Sequence, residues 1–357
     1  RRIVFRAIYF NLGKGRNARL MFVIHHLVMD AYSRPIFLHD LGLACKSIMR
    51  GSEPIFPEKT TSIKAAAEFL QDYAQHQEVL ADLGYWRSRS WGKFRPLPKE
   101  KNPGKLLPAS PVAQPHFIFQ RLTVEETQAL EAIPSRFTGL FVDDILIAAI
   151  VLAYGEWSGS KAVYLNMTHH GRNIEGDAGL DLSRTIGWLA NYTNCMLDLT
   201  ECGTLLEAAY AVRAQREEIR GKEVHFSLLR FMHEDETIRA EMAAFPEHQL
   251  EFNFRPRQTS SSRQDKSKLG QDGARPDGFR HAKENSGSND GVMHSRFAPF
   301  SGAFMEDDQL TLYWGYCQTM YTEATFTYFM EKNMESLRAL LHALSETKAE
   351  AKLLEIA

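Results

Sequence analysis

Residues 145–154 form an almost continuous apolar run inside a helical stretch at 142–157. A helix that is apolar around most of its circumference has no solvent face, so other elements must cover it on most sides. This feature demands a sizeable core, which neither a disordered tail nor a coiled coil supplies. The run is too short for a membrane span, and nowhere does the chain offer about eighteen apolar residues in succession. A length of 357 residues, with 44% hydrophobic and 24% charged, suits two domains with cores of their own.

Strands and helices interleave around that helix. Residues 3–11 and 19–26, joined by a turn containing Gly13, Gly15 and Asn17, predict a hairpin. Its second strand is apolar on both faces at 20–24, as a central strand would be, and ends on His25 and His26. Helical spacing follows over 32–49, stopping at Gly51, and again over 63–89. A Pro- and Lys-rich connection at 95–115 reads as exposed. Beyond it the pattern predicts a strand at 117–119 and a helix started by a Thr123/Glu126 capping box and running to 133. A strand at 163–167 leads into a loop at 168–172; an amphipathic helix at 205–220 and a half-buried strand at 249–254 follow. Residues 255–295 are too polar to offset the entropy of ordering and are expected to form a mobile loop. A hairpin (297–304 and 310–316) turning at Asp307 and Asp308, then a helix at 325–345, close the pattern. The expected class is mixed α/β in two lobes, 1–65 and 66–357, without the βαβ alternation or Gly-rich fingerprint of a nucleotide fold.

Forty-two Lys plus Arg against 44 Asp plus Glu give a net charge of -2, so no sequence-wide basic field exists to hold a phosphate backbone. Neither nucleic acid nor a membrane is expected as a partner. The four cysteines form no CxxC pair, which points to free thiols in a reducing compartment and away from structural zinc. The charged opening at 1–6 is no signal peptide, and a cytoplasmic location is expected. A start without Met, inside an apparent strand, suggests that part of the N-terminal lobe precedes Arg1.

The sharpest chemical feature is His25-His26-Leu27-Val28-Met29-Asp30-Ala31. A histidine at a strand end suits a positioned general base, because imidazole titrates near neutral pH and one nitrogen can take a proton while the other is held. Adjacent strand residues face opposite ways, so only one of the two would enter a given cleft. The competing reading is a pair of partly buried histidines hydrogen-bonded at a lobe interface. His169 and His170 could join His26 at a metal, but no HExxH spacing supports this and no metal is expected. Ser183 and Ser301 lack a nucleophile-elbow sequence. Arg184 with Asp181 reads as a structural ion pair or, alternatively, a substrate contact; Trp188, Tyr192 and Asn253 read as core or interface residues before specificity determinants.

The histidine segment resembles the HHxxxDG signature of the condensation-domain superfamily of nonribosomal peptide synthetases, which shares its fold with chloramphenicol acetyltransferase. Tyr85-Trp86-Arg87 resembles the superfamily's YW pair; His170-Gly171-Arg172, Ser183 to Trp188 and Glu251-Phe252-Asn253-Phe254 look like blocks of its epimerisation branch, in order. The resemblance implies a V-shaped, two-lobed fold whose N-terminal lobe is incomplete in this chain. It also implies acyl transfer from a carrier-bound acyl or peptidyl thioester to a small-molecule or carrier-bound amine or hydroxyl. No tightly bound cofactor is implied; substrates arrive on the 4'-phosphopantetheine arms of acyl or peptidyl carrier proteins. His26 takes the catalytic position, His25, Asp30, Ala31 and Arg184 supporting ones, and Ser33, Thr168, His170, Trp188, Tyr192 and Asn253 are the channel candidates. Ala31 replaces the usual Gly and narrows the backbone approach. Thr168 replaces the glutamate of epimerisation domains and cannot carry a proton at neutral pH, which places condensation ahead of epimerisation. A catalytically silent recruitment domain is the third reading. The basic run 255–268 reads as a solvated loop or a surface for an acidic carrier protein.

Overall fold

The computed structural model describes residues 3–94, 97, 115–174, 179–255, 282, 298–306, 308–318 and 320–347. Two compact units divide them: the first holds the described residues of 3–76 and 169–191 with Ala282, the second those of 77–168, 192–255 and 298–347. The connection at 95–115 and the loop at 255–295 lie outside the described residues, apart from Leu97, Pro115, Arg255 and Ala282.

In the first unit, β1 (Phe5–Phe10) pairs antiparallel with β2 (Arg19–Ile24), Phe5 opposite Ile24 and Phe10 opposite Arg19. Gly13 and Gly15 take φ of 87° and 76° in the connecting turn, where the Asn11 side chain accepts the Gly13 N–H at 3.0 Å. Phe5 and Phe22 meet Phe37 of helix α1 (Ser33–Met49), with the Phe22 and Phe37 rings edge-on at 5.0 Å. The expected burial of β2 on both faces is not found. Among the described residues its sheet has two strands, β1 is exposed throughout, and Leu20 and Val23 of β2 are exposed. A two-stranded ribbon packed on one helix has a single covered face. Helix α2 (Ile63–Tyr73) starts at Ser62, whose hydroxyl accepts the Ala65 N–H at 3.1 Å, and its Ala66 packs with Leu182 and Leu189.

The helical region expected over 63–89 is made of three helices, α2, α3 (Gln77–Ala81) and α4 (Leu83–Ser88). The first break lies where the chain leaves the first unit; the second, at Asp82, precedes the turn that buries Trp86 against Phe226, 4.9 Å between rings.

The second unit continues with β3 (Pro115–Arg121), α5 (Val124–Glu131), α6 (Ile133–Arg136), α7 (Val142–Ser158), β4 (Ala162–His169), β5 (Asn191–Asp198), α8 (Leu205–Glu217), α9 (His225–Phe231), α10 (Glu236–Ala244), β6 (Leu250–Arg255), β7 (Phe300–Glu306), β8 (Gln309–Cys317) and α11 (Glu323–Glu346). Its six strands run in the order β3-β8-β7-β6-β4-β5; β6 is parallel to β4 and β7, and β8 is antiparallel to β7 and β3. The Thr123/Glu126 capping box forms as expected: Thr123 Oγ1 accepts the Glu126 N–H at 3.1 Å and Glu126 Oε2 accepts the Thr123 N–H at 2.8 Å. The apolar run of α7 is buried at every position from Ile145 to Val151. Helices α7 and α11 pack together, with Trp157 5.1 Å from Phe329, while Trp314 and Tyr316 of β8 meet Phe329 and Phe326 at 4.7 and 4.4 Å. Strand β4 extends through Thr168 and His169, so these two residues are strand where a loop was expected. No described helix is long and apolar enough to cross a membrane.

Candidate active site

Strand β2 ends at Ile24, and one 3₁₀ turn, His26–Val28, follows at once. His25 makes that turn: its N–H donates to Val4 O at 2.8 Å, and its Nδ1 accepts the Leu27 N–H at 3.1 Å. The His25 ring is thereby engaged in holding the turn's shape. The expected strand alternation of the two histidines does not apply, because the ladder has ended before His26 and both residues are exposed. The His26 imidazole lies against the Trp188 indole, ring centroids 4.2 Å apart and planes at 46°. That indole is fixed in turn, its Nε1 donating to Ala190 O at 3.0 Å.

The turn is anchored from below by Asp30, whose carboxylate is buried. Oδ1 accepts the Ser33 N–H at 2.8 Å, the Ser33 hydroxyl at 2.7 Å and Arg172 Nη2 at 3.0 Å; Oδ2 accepts Arg172 Nη1 at 2.8 Å and the Leu189 N–H at 3.2 Å. Burial by itself would raise the Asp30 pKa, but the bonds from Arg172, Ser33 and Leu189 outweigh it and hold the group at about 2. Arg172, with a side chain 3% exposed, also donates to His170 O at 2.8 Å and Thr185 O at 3.1 Å, and its guanidinium lies 4.3 Å from the Tyr32 ring centre. Ser33, expected along the channel, is instead fully buried: its hydroxyl donates to Asp30 and accepts from the Gly187 N–H at 3.1 Å. Sequence reasoning placed Arg172 in a motif block and missed this role. The available signal was physical, since a buried aspartate next to apolar strands requires a cation.

Gly171 has no freedom to carry a side chain. Its φ is 64°, and a Cβ there would lie 1.7 Å from Leu189 O. Gly171→Ala is therefore expected to destabilise the first unit by about 2 kcal/mol or more. Gly179→Ala, at φ 90° with nothing within 4 Å, isolates the conformational part and is expected to cost less. Urea midpoints of the two variants test the difference.

Arg184 pairs with Asp40 of α1 at 2.7 and 2.8 Å, not with Asp181 as expected. The Asp181 carboxylate is occupied locally, accepting the Ser183 N–H at 2.9 Å, which leaves Arg184 to reach α1. His170 Nδ1 accepts the Arg172 N–H at 3.1 Å, and burial followed by the Arg172 charge lowers its pKa, so the ring is neutral at pH 7 with its proton on Nε2. Ala31 is exposed beside the turn. The first unit thus holds His25, His26, Asp30, Ala31, Ser33, His170, Arg184 and Trp188, while Thr168 on β4, Tyr192 on β5 and Asn253 on β6 belong to the second.

Among the described residues no group of three His, Cys, Asp or Glu suits a metal. The four cysteines are free, and burial pushes the Cys195 thiol up to about 12, far from a reactive thiolate. Of the two exposed imidazoles on this anchored turn, that of His25 is engaged by the Leu27 N–H, while that of His26 lies against Trp188.

The family described as Condensation domain matches residues 1–357. A linear gramicidin synthase polypeptide of Brevibacillus parabrevis is 32% identical over 347 residues, covering 95% of this chain and 6% of the relative. Chondramide synthase of Chondromyces crocatus is 30% identical over 349 residues, covering 94% of this chain and 8% of that protein. The chain thus spans only a small part of these synthases. Among solved structures, the epimerization domain from the third module of tyrocidine synthetase B superposes with a TM-score of 0.78 at 21% identity, covering 96% of this chain and 73% of that one. The first condensation domain of the calcium-dependent antibiotic synthetase gives 0.61 at 14% identity, covering 98% and 69%. These likenesses show a chloramphenicol-acetyltransferase-like fold. With the histidine motif, its buried Asp30–Arg172 anchor and a family match from end to end, the chain belongs to the condensation-domain family.

Proposed function

We propose that the chain catalyses condensation: an amine or hydroxyl attacks the thioester carbonyl of an acyl or peptidyl group delivered on the 4'-phosphopantetheine of a carrier protein. The C–N or C–O bond forms, the C–S bond breaks, and the nucleophile's proton ends on the released thiol. His26 is the group assigned to take that proton or to hold the attacking nucleophile in line. The observation that carries this reading is the His26 imidazole, exposed on a turn that Asp30 and Arg172 fix from the buried side.

Thr168 favours condensation over epimerisation, because its hydroxyl supplies no second acid or base for moving a proton between the faces of an α-carbon. Donor-loaded carrier protein mixed with the full chain and an acceptor is expected to yield amide or ester product, read by intact mass. Solvent deuterium is expected to stay out of the donor α-carbon when the acceptor is omitted. Deuterium entry would establish epimerisation instead. Carrier binding without either reaction would make the domain a recruitment module, with the Ala31 methyl as the first residue to revert to Gly.

A further inference from the structure

The face of the six-stranded sheet opposite Trp314 and Tyr316 is aromatic at one end and polar at the other. Register assigns one row of that face to Asn166, Glu251, Phe300, Gly315 and Phe117, and the next to Asn253, Gly302, Tyr313 and Phe119. Alternation along β4 puts Thr168 on the same side as Asn166. The two glycines are what let rings lie across the sheet. A Cβ on Gly302 would sit 2.3 Å from Tyr313 Oη, and one on Gly315 would sit 2.4 Å from Phe300 Cζ. Phe117 and Phe119, stacked at 6.0 Å on edge strand β3, remain 39% and 56% exposed. Phe117 also meets Phe300 edge-on at 5.5 Å, which joins the two rows into one surface.

At the polar end, Asn166 is 6% exposed, and its Oδ1 has no hydrogen-bond partner among the described residues. A buried acceptor with no partner among the described residues gains free energy when a bound group donates to it. Asn166 and the rings are two to four strand spacings apart, roughly 10–20 Å. One aminoacyl group cannot span the three or four spacings to Tyr313, Phe117 and Phe119, whereas an extended peptidyl group of about four to six residues can.

We propose that this face selects a peptidyl substrate bearing an aromatic side chain, the ring resting on Phe117, Phe119 and Tyr313 and a backbone N–H donating to Asn166 Oδ1. The proposal rests on the acyl-transfer reading for the substrate's delivery, but its test does not require turnover.

Stable pantetheine-amide analogues carrying a hexapeptidyl group with phenylalanine, leucine or alanine at one position would be titrated calorimetrically into the full chain. The phenylalanine ligand is expected to bind about tenfold more tightly than the alanine one, with leucine between. Phe119→Ala is expected to remove most of that preference while leaving the alanine ligand's affinity unchanged; Asn166→Leu is expected to weaken all three alike. Phe119→Leu, which keeps apolar bulk, and thermal melts of each variant guard against a folding defect. Equal affinities for the three ligands, no binding of any, or a preference that survives both Phe117→Ala and Phe119→Ala overturns the proposal. Absence of transfer alongside an intact aromatic preference would instead count against the acyl-transfer reading alone.

Discussion

His26→Ala is expected to lower kcat/KM for transfer by about 10²- to 10⁴-fold, the range in which a positioned proton-transfer group acts. Its effect on folding is expected to stay within about 0.5 kcal/mol, because the residue is exposed and its ring makes contact chiefly with Trp188. A large kinetic loss with an unchanged melting curve separates chemistry from packing. His26→Gln then divides the two roles open to the imidazole: an amide can hold a nucleophile by a hydrogen bond but cannot accept its proton at neutral pH. Recovery of much of the rate by glutamine would make His26 a positioner, and no recovery would make it the base. His25→Ala serves as the contrast, since it removes the acceptor for the Leu27 N–H and so loosens the turn. Its expected signature is a loss of about 1 kcal/mol in stability, as for a lost helix cap, with a smaller fall in rate. If His26→Ala changes kcat/KM by less than about fivefold, the residue has no chemical role.

Local pattern disclosed the elements whose causes are local. The apolar run of α7, the Thr123/Glu126 capping box and the glycine turn of the first hairpin are each fixed by residues a few positions apart, and each was found in place. What sequence reading missed depends on partners far along the chain. Strand β5 and helices α9 and α10 gave no strong period of their own, and the break at Asp82 is set by where Trp86 finds Phe226. The same division runs through the site. The histidine motif was legible in seven adjacent residues, whereas Ser33 looked like a channel residue until its hydroxyl was found between Asp30 and Gly187. Arg184 was paired with the nearest carboxylate in sequence, although Asp181 was already engaged by its own loop. Proximity along the chain is a poor guide to ion pairing when a loop can satisfy its own acid first.

Asp30→Ala is expected to cost about 3–5 kcal/mol, because it strands the Arg172 guanidinium in a site where its side chain is 3% exposed. The Ser33 hydroxyl and the Leu189 N–H lose their acceptor in the same stroke. Arg172→Ala strands the carboxylate instead, so the double variant should be less destabilised than the two single losses summed. A coupling energy below about 0.5 kcal/mol in that cycle would mean the pair does not act as a unit. The pH dependence has a definite sign. The Asp30 pKa is lowered from 3.8 to about 2 in the folded chain, so the unfolded chain binds the proton more readily. The stabilisation, about 2 kcal/mol, is therefore present above pH 3.8 and lost as pH falls through about 2. Asp30→Asn removes the titrating group while keeping an oxygen for the Ser33 N–H. It should be weaker than wild type at pH 7, with the gap closing in acid as the wild-type carboxylate protonates. Transfer should fall in each of these variants through kcat, because the turn carrying His26 is held in place by this pair and a displacement of about 1 Å is enough to cost 10²-fold.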